Sequence, residues 1–208
     1  MHYITFLFLM ITLSISQIQY GGVPKYQPEN NNIKFINTDN IFGINRLGLS
    51  DNYEQGKSLT LGLDYSKEKL DDVNTFFEFN IAKVLRDVRQ DNIPISSSIG
   101  QKSSNIFGSS TIGISNFLNL NYDFSIDNDL NTFEQNSIGA ELSLFNLITE
   151  FNYLENAGKM GGGNVLENKT TLSLKDKNFL TFQTRRNREI NLTEYYDLRS
   201  EERRVGKE

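Results

Sequence analysis

The feature that most constrains the fold of this chain is a strict alternation of apolar and polar residues over residues 57–66, KSLTLGLDYS. Leu59, Leu61, Leu63 and Tyr65 take one set of positions, and small or polar residues take the other. Successive side chains of a β-strand point to opposite faces, so this pattern predicts a strand between an apolar and a polar environment.

The same alternation returns along the chain, in segments that are separated by polar connections. Stretches of about ten alternating residues between turns are typical of transmembrane β-barrels. We therefore predict an all-β fold, an antiparallel transmembrane β-barrel of about nine strands. Because single-chain bacterial barrels have even strand numbers, we expect an incomplete barrel that is part of a larger one. The predicted strands are residues 40–47, 57–66, 74–86, 106–115, 119–126, 133–144, 147–154, 168–175 and 178–186.

The predicted connections differ in length at the two ends of the sheet. Outer-membrane barrels have short periplasmic turns and longer loops outside the cell, so the longer connections are predicted to face outwards. A soluble sandwich has no reason to sort its loops in this way. The short connections are residues 67–73, 116–118, 145–146 and 176–177, and the longer ones are 48–56, 87–105, 127–132 and 155–167.

Composition excludes several classes of function. The formal net charge of -5 and the absence of a basic stripe argue against nucleic acid as a partner. The chain has no cysteine, which removes disulfides and thiolate metal sites. Its one histidine, His2, lies at the extreme terminus and is poorly placed for general acid–base catalysis. We therefore expect no enzymatic activity, no catalytic residues, no cofactor and no metal.

The polar faces of the strands are the remaining candidate sites. If the apolar faces meet lipid, the polar side chains point into the lumen of the barrel. They could simply hydrate that interior, or they could line a path for an amphipathic substrate. The lumen-facing candidates are Glu78, Asn80, Asn121, Asp123, Glu150 and Asn152.

The two ends of the chain differ from the rest. Residues 1–16 contain an apolar run as long as the core of a signal peptide, but no basic residue precedes that run, so a strand or an artefactual start is the alternative. Residues 199–208, RSEERRVGKE, resemble the translation of a sequencing adapter and are expected to be a non-native tail. Residues 17–198 are then the partial barrel domain.

Residues 38–65 resemble a strand-and-loop segment of the LptD family, the lipopolysaccharide-assembly proteins of the outer membrane. Leu49, Gln55 and Leu61 depart from the family pattern. Residues 99–127 and 192–197 are similar to later parts of the same region. The matching positions are Asn40, Ile41, Phe42, Asn45, Arg46, Asp51, Glu54, Gly56, Gly62, Leu63 and Tyr65.

The resemblance implies a very large barrel in the cell outer membrane, with a jelly-roll domain in the periplasm. It also implies three partners: lipopolysaccharide, an LptE-like lipoprotein plug and periplasmic bridge proteins. Lipopolysaccharide leaves such a barrel through a lateral gate into the outer leaflet. This chain would be the middle of the barrel, so the gate cannot be assigned within it and an artefactual start is favoured for residues 1–16.

Two other classes of function remain open at this stage. A small porin-like or generic outer-membrane barrel for passive diffusion would use residues 1–16 as a true signal peptide. A secreted β-sandwich adhesin would need its outward phenylalanines to form a dry core. A membrane esterase would need a histidine partner, which His2 does not provide.

Overall fold

The structure, a computed structural model, describes residues 3–15, 36–43, 46–47, 54, 56–93, 95–157, 163–175 and 178–202. Within residues 3–15, 96, 175 and 201–202 it describes the backbone alone. The strands of this part are β1 (Tyr3–Ile15), β2 (Lys57–Lys69), β3 (Asp72–Arg86), β4 (Ser103–Ser115), β5 (Leu118–Ile126), β6 (Phe133–Leu144), β7 (Leu147–Asn156), β8 (Gly163–Lys175), β9 (Asn178–Asn187) and β10 (Leu192–Glu202).

The strands form one open antiparallel sheet of ten strands, in the order β1 to β10. Each strand pairs with its neighbours in the sequence, so the sheet is a simple meander. A single turn of 3-10 helix, Ile95–Ser97, lies between β3 and β4. Across the described residues, no helix has the length and apolar character that are needed to cross a membrane. The predicted all-β, antiparallel fold is confirmed.

Every strand predicted from residue 57 onwards is present, whereas the strand predicted at residues 40–47 is wrong. Its described residues, 40–43 and 46–47, lie in turns and a bend. The Asn37 and Asn40 side chains each accept a hydrogen bond, at 3.1 Å, from the backbone N–H of the other residue. Asparagine side chains that bond nearby backbone compete with strand pairing, which explains the turn at this position.

Two strands of the sheet lie outside the nine predicted strands. β1 pairs with β2 along its whole length, with Leu9 opposite Leu63. β10 pairs with β9 and continues to Glu202, past the predicted barrel boundary at Leu198. The proposals that residues 1–16 are a leader or an artefact, and that residues 199–208 are foreign, stay predictions.

Connections of different length lie at opposite ends of the sheet. At one end, here called the turn end, residues 70–71, 116–117 and 145–146 join the strands in two-residue turns. The matching connection at 176–177 lies outside the described residues. At the other end, here called the loop end, the connections span residues 87–102, 127–132 and 188–191, and the connection between β7 and β8 lies largely outside the described residues. This sorting is sharper than predicted, because β2 and β3 extend further towards each other.

The strand register gives the sheet two unlike faces. On one face, Leu63, Ile81, Gly108 and Phe124 stand opposite one another across β2 to β5. We call this the apolar face. Its exposed side chains include Leu61, Ile112, Ile138, Phe151 and Phe182. The face is suited to lipid, because these apolar side chains are exposed in the part of the chain that the structure describes.

The buried core lies on the opposite face, here called the polar face, close to the loop end. Three residues of β3 and β4 on this face are apolar, where the alternation would place polar residues. They pack against residues 36–43 and 46–47, here called the cap, and against the connection between β3 and β4. The core residues are Ile36, Ile41, Leu47, Ala82, Val84, Ile93, Ile99 and Phe107.

Candidate functional site

The register brings the six lumen-facing candidates onto one face of the sheet. Asp64, Asn80, Ser109 and Asp123 occupy one row, because each stands opposite the next across β2 to β5. Glu78 and Asn121 belong to the adjacent row, through Thr111 on β4; that row continues through Gly139 on β6 to Asn152 on β7. Glu150 stands two residues from Asn152 on the same face of β7, opposite Lys169.

Asn80 bonds side chains on both neighbouring strands. With its amide oriented to satisfy both groups, its nitrogen donates to Asp64 Oδ1 at 3.0 Å. Its oxygen then accepts a hydrogen bond from Ser109 Oγ at 3.3 Å. Asn80 therefore links three neighbouring strands on the polar face.

The cap covers the polar face over β2 to β4. Thr38 Oγ1 lies 2.8 Å from Ser109 Oγ, which is a direct hydrogen bond between the cap and β4. The ring of Phe42 lies against Gly62 of β2, and a Cβ atom on residue 62 would be 2.4 Å from the ring. Glycine at this position therefore allows the cap to approach the sheet closely.

A buried cluster of three charges fixes the cap at the loop end. The Nε and Nη2 atoms of Arg46 each donate to a carboxylate oxygen of Glu54 at 2.6 Å. Arg86, the last residue of β3, donates to the same carboxylate through Nη2. The Arg46, Arg86 and Glu54 side chains are only 3%, 1% and 14% exposed. We call these residues the Arg–Glu–Arg triad.

The triad satisfies its hydrogen-bonding groups through the surrounding backbone and strands. Arg46 Nη1 donates to the carbonyl of Ile41 at 2.9 Å and to Thr60 Oγ1 at 3.1 Å. The Nη2 atom also donates to Ser58 Oγ at 3.3 Å. Buried charges are tolerated only when they are paired and hydrogen-bonded in this way. The triad thus joins the cap, β2 and β3 into one unit.

A second polar contact holds the connection between β3 and β4. The buried Asn105 side chain donates to Ser125 Oγ at 3.0 Å and to Glu134 Oε2 at 2.7 Å. Its backbone N–H donates to Ser98 Oγ at 3.0 Å. Asn105 of β4 therefore bonds β5 and β6 through its side chain and the connection through its backbone N–H.

The polar face of β7 to β10 differs from the capped part because it carries half-exposed ion pairs. Lys169 Nζ lies 3.1 Å from Glu150 Oε1. Arg185 pairs with Glu167 at 2.9 Å and with Glu194 at 2.7 Å. On β10, Arg199 pairs with Asp197 at 2.7 Å. We call this set the charged ladder: Glu150, Glu167, Lys169, Arg185, Glu194, Asp197 and Arg199.

Sequence reasoning found Glu150 but missed most of the ladder and the triad. Arg46 and Glu54 were named only because they match a family pattern, and Arg86 was included only as the last residue of a predicted strand. A signal was present in the break of alternation at Ala82 and Val84, which puts apolar residues on a polar face. In the part of the chain that the structure describes, no three His, Asp or Glu side chains are grouped to hold a metal ion.

The family model of LptD, described as LPS transport system D, matches residues 15–195. The chain belongs to the LptD family. Members of this family are outer-membrane proteins of lipopolysaccharide transport and assembly, and the family is not known for enzymatic activity. A search of curated proteins finds no match to this chain. The resemblance seen in the sequence is thus confirmed at the level of the family.

Proposed function

We propose that this chain is part of the wall of the barrel that inserts lipopolysaccharide into the outer leaflet of the outer membrane. Membership in the LptD family is the observation that carries this proposal. The two faces of the sheet support it, because a lipid with a phosphorylated sugar head needs both an apolar and a polar surface.

In this proposal the polar face lines the lumen and the apolar face contacts lipid. Glu78, Asn80, Asn121, Asp123, Glu150 and Asn152 then face the lumen. An LptE-like lipoprotein plug and periplasmic bridge proteins are the proposed partners. The loop end of the sheet lies outside the cell, as in other outer-membrane barrels.

Depletion of the cellular protein that contains this chain tests the function. We expect newly made lipopolysaccharide to stop reaching the cell surface within one or two generations of depletion. The measurement is the surface fraction of pulse-labelled lipopolysaccharide. Unchanged delivery, together with slower uptake of small solutes, would instead support the alternative of a porin-like diffusion barrel.

A matched pair of cysteine variants tests the orientation separately. Asn131 lies in a loop-end connection and Asn116 in a turn, and both side chains are exposed. Because this chain has no cysteine of its own, each variant introduces one unique thiol into it. Asn131→Cys should react with an impermeant thiol reagent on intact cells, and Asn116→Cys should react only after lysis. The reverse order would contradict the orientation and leave the family assignment intact.

A further inference from the structure

We propose that the lipid-facing surface of the sheet carries a binding site for the phosphate group of a bilayer lipid, formed by Arg186, Arg188 and Tyr153 at the loop end of the apolar face. The site lies outside the lumen, so its occupant is a lipid that stays in the surrounding leaflet. The assignment of that lipid to the outer leaflet rests on the proposed orientation of the loop end.

The apolar face ends in a polar row at the loop end of β6 to β8. Asn136, Glu155 and Asn164 stand opposite one another in this row. The next row towards the turn end pairs Tyr153 with Ile138, which belongs to the apolar face. The apolar band of a membrane barrel gives way to polar residues where the strands enter the headgroup region. This change of residue type therefore indicates a membrane boundary.

Two tyrosines lie at the same level. Tyr122 and Tyr153 both stand opposite Ile138 on the apolar face. The Tyr122 hydroxyl donates to Asn136 Oδ1 at 2.8 Å, and the Tyr153 hydroxyl accepts from Asn164 Nδ2 at 2.9 Å. Tyrosines with an apolar ring and a hydrogen-bonded hydroxyl are typical of the aromatic belts at membrane interfaces. The two tyrosines thus indicate the same boundary as the polar row.

Two arginines lie at this boundary on the same face. Arg186 stands opposite Leu166, which is the partner of Tyr153 across β7 and β8. The backbone N–H of Arg188 donates to the carbonyl of Asn164 at 2.7 Å, and its guanidinium carbon lies 5.9 Å from the centre of the Tyr153 ring. Both arginine side chains are exposed. Because an aromatic ring attracts a cation, Tyr153 holds the Arg188 guanidinium at the edge of the apolar face.

The two guanidinium groups are available to an anion. Among the described residues, Arg185 forms ion pairs with carboxylates, whereas Arg186 and Arg188 form none. Arg186 Nη2 donates to Asn191 Oδ1, which is a neutral group. Guanidinium groups bind phosphate oxygens through strong, often bidentate hydrogen bonds. Two such groups on one side of the sheet therefore suit a phosphate.

A lipid fits this site better than a free phosphate ion. Ile138, Phe151 and Leu166 are exposed on the apolar face beside the arginines, and an acyl chain would cover them. Covering apolar surface adds binding free energy that a free ion lacks. Glu155 in the polar row and Glu189 next to Arg188 carry the same sign of charge as the ligand and oppose a free ion. The acyl contacts are thus needed for occupancy.

Lipid titration of the cellular protein in detergent tests the site. The probe is phosphatidic acid, which carries a phosphate monoester, and native mass spectrometry measures the bound lipid. Arg188→Gln should weaken binding about fivefold, and Arg186→Gln/Arg188→Gln about tenfold or more, because charge-assisted hydrogen bonds are lost. Arg185→Gln is the matched control, since it removes one charge from the polar face of the same strand. Equal effects of Arg185→Gln and Arg188→Gln, or no effect of either, would overturn the site.

The aromatic ring is tested separately. Tyr153→Phe keeps the ring and should bind phosphatidic acid about as well as the unaltered protein, whereas Tyr153→Leu should bind more weakly because the cation over the ring is lost. The heat-modifiable folded band checks that both variants fold. Equal binding by the two folded variants would overturn the role of the ring.

Competition experiments distinguish a lipid from a free anion. Excess inorganic phosphate should leave most of the phosphatidic acid bound, and phosphatidylcholine with the same acyl chains should bind more weakly. Complete displacement by inorganic phosphate would show a free-anion site and overturn the lipid. None of these measurements depends on lipopolysaccharide delivery, so failure of the site and failure of the proposed function are distinguishable. Labelling of Asn131→Cys assigns the leaflet.

Discussion

The Phe42 ring lies so close to Gly62 that a Cβ atom on residue 62 would be 2.4 Å from the ring Cζ atom. The backbone carbonyl of Ile81 is also near that position, at 3.3 Å. An alanine at residue 62 must therefore push the Phe42 ring, and with it the cap, away from β2. The cap packs this closely against β2 because residue 62 has no Cβ atom.

The first prediction tests this fit. Gly62→Ala should lower the free energy of unfolding by about 1–3 kcal/mol, as overpacking of a core typically does. Gly163→Ala is the control, because nothing lies within 4 Å of a Cβ atom at that residue. Urea titration of the cellular protein in detergent measures the free energy of unfolding of both variants. Phe42→Ala should reduce the effect of Gly62→Ala, and equal effects in both backgrounds would contradict the contact.

The second prediction concerns the Arg–Glu–Arg triad. Glu54→Gln leaves two buried guanidinium groups without their carboxylate, which should cost about 3–5 kcal/mol of folding stability. Glu150→Gln removes the partner of Lys169 at a half-exposed position and should cost no more than about 1 kcal/mol. The comparison uses the same urea titration. Similar losses for the two variants would show that the triad is not shielded from solvent.

The third prediction tests the assignment of the faces. Phe182 and Gln183 are neighbours on β9, on the apolar and the polar face respectively. Phe182→Arg should cost about 2–4 kcal/mol if this side chain faces the lipid midplane. Gln183→Arg should cost much less, because its side chain faces the lumen. Assembly is measured by the intensity of the heat-modifiable folded band on a gel. A larger loss of the folded band for Gln183→Arg than for Phe182→Arg would show that the two faces are assigned the wrong way round.

The fourth prediction concerns Asn105. Asn105→Ala removes the donor for Ser125 and Glu134 inside a buried site, which should cost about 1–3 kcal/mol. Asn131→Ala is the matched control, because its exposed side chain lies in a loop. Urea titration of the cellular protein in detergent should show this loss of stability for Asn105→Ala only. Equal stability of the two variants would show that the bonds of Asn105 to Ser125 and Glu134 contribute little.

The strands from residue 57 to residue 187 were predictable because strand formation here follows a local signal of period two. That signal is weak at the two strands that were missed. Residues 3–15 form a nearly continuous apolar run and show no alternation. In β10, the register shifts between Thr193 and Tyr195, which breaks the period within the strand.

The cap and the triad could not be read from the sequence in the same way. Glu54 and Arg86 are 32 residues apart, so their contact depends on the tertiary fold and not on spacing. Residues 40–47 also contain apolar residues at intervals that suit a strand, and the Asn37–Asn40 pair outweighs that pattern. Local periodicity predicts which residues share a face, but not which segment will cover it.

The meander order has a consequence for how such a wall assembles. Because every strand from β2 onwards pairs with its neighbours across short connections, each of these hairpins can form locally, and pairing can spread one strand at a time. The bond from Thr38 to Ser109 joins residues 71 positions apart, and its closure loses far more chain entropy. The sheet should therefore form first, and the cap should then pack against strands that are already paired.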